Sequence, residues 1–265
     1  METQYKDELI TLIEGDCVNC MEELSKKNIK VDKVITSPPY NIIRPNSKDR
    51  GYDLYKDGMS NDEYIKWTIT IFKIFEKILN NNGCIIWNMS YGTENTEVMS
   101  LTIAEILKKT NFTIADILVW KKSSATPNNV SSNKMTRICE FVYVFCKREE
   151  FNTFTSNKKI IGYREDTCQS IYENMFNFFQ APNNNETQDL NKATFSEEYV
   201  KNIIQRYVKK EDVVLDCFCG TGTTLIACSS MGIHCIGIEL SNAQCKHTIK
   251  RIKKGIQTDI FSLER

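Results

Sequence analysis

Between Asp62 and Leu79, apolar residues fall at Ile65, Ile69, Phe72, Phe75 and Leu79, the three-and-four spacing of one helical face. Elsewhere they gather in short runs of strand length. One is Val31-Asp32-Lys33-Val34-Ile35-Thr36, broken by Ser37-Pro38-Pro39-Tyr40-Asn41. Another, Val213-Val214-Leu215-Asp216, runs into the turn Cys217-Phe218-Cys219-Gly220-Thr221-Gly222. A helical stretch follows, Thr223-Thr224-Leu225-Ile226-Ala227-Cys228, and ends near Gly232; the next run, His234-Cys235-Ile236-Gly237-Ile238-Glu239, is again a strand. Alternating strand and helix patterns predict an α/β fold, a mostly parallel sheet with helices on both faces. In such a fold the apolar stripe of residues 62–79 belongs to the core.

The 265 residues fit one large domain, or a domain with a sizeable insertion, and 41% apolar against 26% charged residues is the balance of a soluble globular chain. No run reaches transmembrane length, and Met1-Glu2-Thr3-Gln4-Tyr5-Lys6-Asp7 lacks the apolar stretch of a secretory signal. The expected compartment is the cytoplasm. There the eleven cysteines, scattered over strands and helices, act as small buried hydrophobes. A metal site from Cys217, Cys219, Cys245 and His247 is not expected, because the spacing is not that of a zinc ribbon or finger. The formal net charge is zero, so any nucleic-acid surface must be a local patch. Lys121, Lys122, Lys134 and Arg137, with no acidic residue among residues 121–137, form the best candidate. On charge alone a solvated loop explains them as well.

The run from Val213 to Glu239 reads as a strand–turn–helix–strand unit with glycines at the first turn, where backbone approaches a ligand closely. Glu239 ends the second strand, where a carboxylate can accept hydrogen bonds from both ribose hydroxyls. A pyrophosphate fingerprint would carry a third glycine where this chain has Leu225. S-adenosyl-L-methionine has no phosphate and carries a sulfonium and an ammonium, so an acidic turn suits it better than a dinucleotide. Asp216, Phe218, Gly220, Gly222, Thr223 and Glu239 are the candidate cofactor residues of this unit.

Ser37-Pro38-Pro39-Tyr40 ends the other strand. Two prolines fix two φ angles and remove two N–H donors, leaving a rigid turn that displays acceptors. An exocyclic base amine is a pair of donors whose lone pair is delocalised into the ring. Accepting its hydrogens at Ser37 Oγ and the Pro38 carbonyl would favour a pyramidal nitrogen with its lone pair aimed at a sulfonium methyl. Tyr40 offers a face on which a flipped base could stack. A Pro-Pro turn with no chemistry is the plain alternative, and the cofactor unit in the same chain weighs against it.

Taken together, the motifs resemble the DNA amino-methyltransferases of the permuted β arrangement, in which the catalytic Ser/Asn/Asp-Pro-Pro-Tyr motif precedes the cofactor glycines. The resemblance covers nearly the whole chain. Leu12-Ile13-Glu14-Gly15-Asp16-Cys17 is similar to the family's Gly-Asp segment, which implies that Asp16 and Cys17 meet the adenine of the cofactor. Gly83-Cys84-Ile85-Ile86-Trp87-Asn88 resembles the next core strand, and Trp120-Lys121-Lys122 the Trp-x-Lys at the edge of the DNA cleft. Cys139-Glu140-Phe141-Val142-Tyr143-Val144-Phe145 is similar to a strand usually introduced by His-Glu, with Cys139 in place of the histidine. Lys192-Ala193-Thr194-Phe195-Ser196-Glu197-Glu198 resembles the segment that closes over the methionine end through Phe195 and Ser196, without the proline often found there. The implied fold is a Rossmann-like, seven-stranded, mostly parallel sheet. Residues 1–146 and 193–265 would form the catalytic and cofactor-binding parts of one core.

Residues 147–192 are the least regular part, polar and rich in aromatics, and read equally as a target-recognition insertion or a loop-rich packing layer. Lys158 and Lys159 there would suit phosphates, which supply affinity but no sequence reading. Arg44, Lys48 and Arg50, within residues 41–58, would sit on a loop over the bound base. The resemblance implies a double-stranded DNA substrate, base flipping and direct methyl transfer without a covalent intermediate. Ser before Pro-Pro is associated in the family with cytosine N4, with adenine N6 close behind. RNA or protein amide methylation usually resembles Asn-Pro-Pro-Tyr with the cofactor motif first, the opposite order. A non-catalytic DNA-binding subunit is opposed by intact Ser37, Tyr40, Asp216 and Glu239. A cognate restriction endonuclease and a second copy of the chain are candidate partners on resemblance alone.

Overall fold

The computed structural model describes residues 2–41, 58–90, 96–125, 132–183 and 194–263, with side chains described through residue 255. Its strands are β1 (Glu2–Lys6), β2 (Ile10–Glu14), β3 (Val31–Thr36), β4 (Leu79–Met89), β5 (Phe112–Lys122), β6 (Cys139–Lys147), β7 (Ile160–Tyr163), β8 (Ser170–Tyr172), β9 (Phe178–Ala181), β10 (Val213–Asp216) and β11 (His234–Glu239). The helices are α1 (Cys17–Lys26), α2 (Asn61–Ile78), α3 (Val98–Lys109), α4 (Glu197–Tyr207), α5 (Thr223–Ser230) and α6 (Asn242–Leu263).

Nine strands form one sheet in the order β1-β2-β11-β10-β3-β4-β6-β5-β9, and β7 and β8 form a separate hairpin. The run β2-β11-β10-β3-β4 is parallel throughout, and β6 is antiparallel to both β4 and β5. The expected seven strands are the inner seven. Two edge strands widen the sheet: β1 pairs antiparallel with β2, and β9 pairs parallel with β5. β1 buries no residue fully and β9 is only four residues long, so neither carries the apolar run that marks an inner strand. β9 also places residues 178–181, inside the irregular stretch 147–192, in the main sheet.

The central strands β3, β4 and β10 are buried on both sides because each face is covered. One core packs α1, α2 and α3 on Val34, Ile85, Trp87, Leu215 and Ile238. The other packs α4, α5 and α6 on Ile35, Cys84, Ile86, Val214 and Cys235. Helix α2 begins with a reciprocal capping box between Ser60 and Glu63, and buries Ile65, Ile69, Phe72 and Phe75. Phe72 meets Trp87, Phe112 and Phe145 edge-on, with ring centroids 5.1, 5.7 and 5.2 Å away. Nine of the eleven cysteines are buried and all are free thiols.

This topology fixes where a ligand can bind. From β3 the chain crosses through α2 to β4, on one face; from β10 it crosses through α5 to β11, on the other. β3 and β10 are neighbours, so their following turns part in opposite directions and leave a crevice at the carboxyl ends of the strands.

Candidate active site

A cavity opens in that crevice. Its walls include Asp16 and Cys17, the loop Ser37-Pro38-Pro39-Tyr40, Phe195, the turn Asp216 to Thr221, Thr223 and Glu239. The two motifs far apart in sequence therefore face one space. Ser196 and Gly222 do not line it. Ser196 Oγ instead accepts the Tyr199 N–H at 3.2 Å as the N-cap of α4. Gly222 is the N-cap of α5 at φ 81°.

Asp216 is 2% exposed and its carboxylate is taken up by the protein itself. It accepts from Thr36 Oγ1 at 2.7 Å, Thr224 Oγ1 at 2.6 Å and the Phe218 N–H at 3.1 Å. Burial raises its pKa above the ordinary carboxylate value, against the lowering pull of those three donors. Thr36 directly precedes Ser37, so this one carboxylate clamps the end of β3 to the turn after β10. Glu239 faces the cavity from the end of β11, oriented by the Gly220 N–H at 2.8 Å and the Ser241 N–H at 2.8 Å. Gly220 and Gly222 both have positive φ, 53° and 81°, which lets the turn fold tightly under the ligand space. Asp16 accepts the Asn19 N–H at 3.0 Å as the N-cap of α1.

The Ser37–Tyr40 loop is held from three sides. Tyr64 on α2 donates its hydroxyl to the Pro39 carbonyl at 2.9 Å. Asn41, at φ 54°, accepts the Gly58 and Met59 N–H groups at 2.9 and 3.0 Å and donates to the Met59 carbonyl at 2.7 Å. Beneath the loop, the Tyr40 hydroxyl lies 2.8 Å from Ser37 Oγ and 3.1 Å from Glu140 Oε2. Burial and the adjacent Glu140 charge push the Tyr40 phenol far above its ordinary pKa, so it stays protonated. Asn88, at the end of β4, donates its amide to Tyr40 at 2.5 Å and to Glu140 at 2.7 Å.

Sequence reasoning gave no role to Asn88, Glu140, Thr36 or Trp67. Trp67 lines the cavity and packs on Phe218 with ring centroids 5.5 Å apart. The available signal was a polar residue at the carboxyl end of an apolar strand, as with Thr36 and Asn88.

The basic residues separate. Lys122 forms an ion pair with Glu140 and lies over the Trp120 ring, 5.4 Å from its centroid. Lys121, Lys134 and Arg137 are partly exposed and Lys158 and Lys159 fully exposed, all outside the cavity wall. Arg44, Lys48 and Arg50 lie outside the described residues. Among the described residues there is no cluster of metal-ligating side chains, and no helix is long and apolar enough to cross a membrane.

A parallel sheet with a glycine turn and an acidic strand end at its switch point defines a Rossmann-like cofactor-binding protein. The comparisons with known proteins then give the family. Residues 31–251 match the sequence model of the N6/N4 DNA methylases, and the chain belongs to that family of S-adenosyl-L-methionine-dependent DNA methyltransferases. It is 24% identical to the Type II methyltransferase M.HinfI of Haemophilus influenzae, over 96% of this chain and 71% of that protein. The fold is similar to that of the cytosine-N4-specific PvuII DNA methyltransferase, with a TM-score of 0.72 at 17% identity over 98% of this chain and 94% of the other. It is also similar to M1.HpyAVI solved as a complex with S-adenosylmethionine, with a TM-score of 0.64 at 20% identity over 92% and 100% of the two chains.

Proposed function

We propose that the protein methylates the exocyclic N4 of cytosine in double-stranded DNA, after the base is flipped into the crevice. The single observation that carries this reading is Ser37, ahead of Pro38-Pro39-Tyr40, facing the same cavity as the glycine turn and Glu239.

The residues present suit S-adenosyl-L-methionine. Glu239 would hold the ribose hydroxyls, Asp16 and Cys17 would meet the adenine, and Phe195 and Phe218 supply apolar wall. When bound, the cofactor supplies an electrophilic methyl on a sulfonium. The chain's own part is to hold the amine. Ser37 Oγ and the Pro38 carbonyl accept its two hydrogens, and the Tyr40 ring stacks against the base. Tyr64, on the Pro39 carbonyl, keeps the loop from yielding as the nitrogen pyramidalises. With the cofactor bound, its methyl would be supplied to the amine held by Ser37 and the Pro38 carbonyl, leaving a neutral thioether, and one proton of that nitrogen would pass to water. None of this needs a covalent enzyme intermediate.

Basic residues outside the cavity, Lys121, Lys134, Arg137, Lys158 and Lys159, are the proposed phosphate contacts, together with Arg44, Lys48 and Arg50. Action on cellular DNA would put the protein in the cytoplasm. The deciding experiment incubates it with labelled S-adenosylmethionine and mixed-sequence DNA, digests to nucleosides and identifies the product by mass. N4-methylcytosine supports the full reading. N6-methyladenine would retain the mechanism and overturn the inference from Ser37, and no methylated nucleoside would overturn the DNA substrate.

A further inference from the structure

The catalytic hydroxyl works only if it faces the base amine as an acceptor, yet a serine hydroxyl can rotate to donate. What fixes its direction lies beneath the loop. Glu140 is 7% exposed and Asn88 1% exposed, both inside the wall formed by β4 and β6. The Lys122 ammonium sits on Glu140 Oε1, which leaves Oε2 to the Tyr40 hydroxyl and the Asn88 amide.

A carboxylate paired with an ammonium has no hydrogen to give. The Tyr40 O–H must therefore donate to Glu140 Oε2. The Asn88 amide must likewise present its NH2, because its carbonyl oxygen would face the carboxylate at 2.7 Å. Tyr40 has one hydrogen, now committed, and its oxygen already accepts from Asn88. At the remaining 2.8 Å contact Ser37 must be the donor. With its only hydrogen pointing down to Tyr40, Ser37 Oγ turns its lone pairs toward the cavity. We infer that Glu140 is a positioning residue which, through Tyr40, sets the Ser37 hydroxyl as an acceptor for the amine. This rests on the proposed amino-methyl transfer and deepens it.

The chain of donors makes an unusual forecast for Glu140→Gln. A glutamine has one acceptor oxygen, and the Lys122 ammonium claims it. The NH2 then faces Tyr40 and also the Asn88 amide, which could flip and offer Tyr40 its carbonyl oxygen, so the forecast is made in an Asn88→Ala background. There Tyr40 must accept from the glutamine and turn its hydrogen to Ser37, and the Ser37 hydrogen is expelled into the cavity against the amine. Near-isosteric substitution thus reverses the whole string of hydrogen bonds.

The test measures single-turnover methyl transfer at saturating DNA and cofactor, with every variant built on Asn88→Ala and that variant as the reference. Glu140→Gln should lower the rate by about ten- to a hundredfold, the scale of one misdirected hydrogen bond to the reacting group, while cofactor affinity stays within about twofold. Adding Lys122→Met frees the amide to turn its oxygen to Tyr40, and should recover about fivefold or more of the lost rate. In a Tyr40→Phe background, Glu140→Gln should cost less than about twofold, because the string is already cut. A Glu140→Gln rate near that of the reference, no recovery with Lys122→Met, or a full additional loss in the Tyr40→Phe background would overturn the inference. Wild-type turnover on DNA is scored separately, so each of those results leaves the proposed reaction standing.

Discussion

Gly222 offers a quantitative test of how tightly the cofactor turn is built. Its φ is 81°, and a Cβ placed on it would lie 2.9 Å from Thr248 Oγ1, with Thr248 Cγ2 nearer still. Thr248 is fully buried on α6 and its hydroxyl donates to the Gly220 carbonyl at 3.1 Å, so it cannot swing away without breaking that bond. Gly222→Ala therefore carries two costs. A non-glycine residue in the left-handed region loses about 1–2 kcal/mol. Forcing a methyl into a filled site adds about 1–3 kcal/mol. The expected destabilisation is about 2–5 kcal/mol, read as a lower urea midpoint at unchanged slope. Thr248→Ala removes both Cγ2 and Oγ1, costing its own hydrogen bond of about 1 kcal/mol. In the double variant the overpacking cost shrinks to the 3.1 Å contact between the two Cβ atoms, so the two losses should fall short of additivity by about 1–2 kcal/mol. A Gly222→Ala midpoint equal to wild type, or strict additivity, would refute the argument that Thr248 is the wall this glycine accommodates.

Three further outcomes follow from the site. Ser37→Ala should reduce methyl transfer by about a hundredfold or more while calorimetric cofactor affinity holds within about twofold; near-normal turnover would remove Ser37 from the chemistry. Glu239→Gln keeps one acceptor for two backbone amides and loses the charge facing the cavity, so cofactor affinity should fall about tenfold, and an unchanged titration would count against Glu239 as a ligand. Asp216 gives a pH signature. Its folded pKa is raised by burial, so between the unfolded value of 3.8 and the higher folded value the native state holds the extra proton and loses stability as pH rises. Asp216→Asn cannot titrate, so its stability relative to wild type should climb with pH through that window, measured by denaturant midpoints; a pH-independent difference would refute the assignment.

Much of this fold was legible because the signals were local. The stripe from Ile65 to Phe75 needs only helical periodicity, and Val213–Asp216 followed by glycines needs only strand length and turn chemistry. The edge strands β1 and β9 were not legible. Tyr5 and Lys6 pair with Leu12 and Thr11 through backbone, and while Tyr5 packs on a core, Glu2, Thr3 and Lys6 are exposed, which leaves almost no pattern to read. The site divides the same way. Ser37, Tyr40, Gly220 and Glu239 each sit in a short motif, and all four line the one cavity. The strand segments that hold Asn88 and Glu140 say nothing of their meeting, which arises only when antiparallel pairing sets Asn88 opposite Val142, with Glu140 one turn of the pleat away.

Lys122 carries the same lesson about charge. As sequence it is one of four cations without an acidic neighbour, which suggests phosphate binding. In space its ammonium meets the Glu140 carboxylate across the β5–β6 ladder, where Trp120 pairs with Glu140 and Lys121 with Cys139. A charge that sequence reads as surface is half-buried and spent on orienting a neighbour. Asp216 makes the complementary point. Its place before the glycine turn suggests a ligand group, yet all three of its donors are the protein's own. It thereby joins β3 to β10, and that union brings the acceptor loop and the cofactor turn to one crevice. In a permuted chain the two motifs are separated by most of the sequence. The hydrogen bond between Thr36 and Asp216 is the shortest statement of why they must nonetheless fold together.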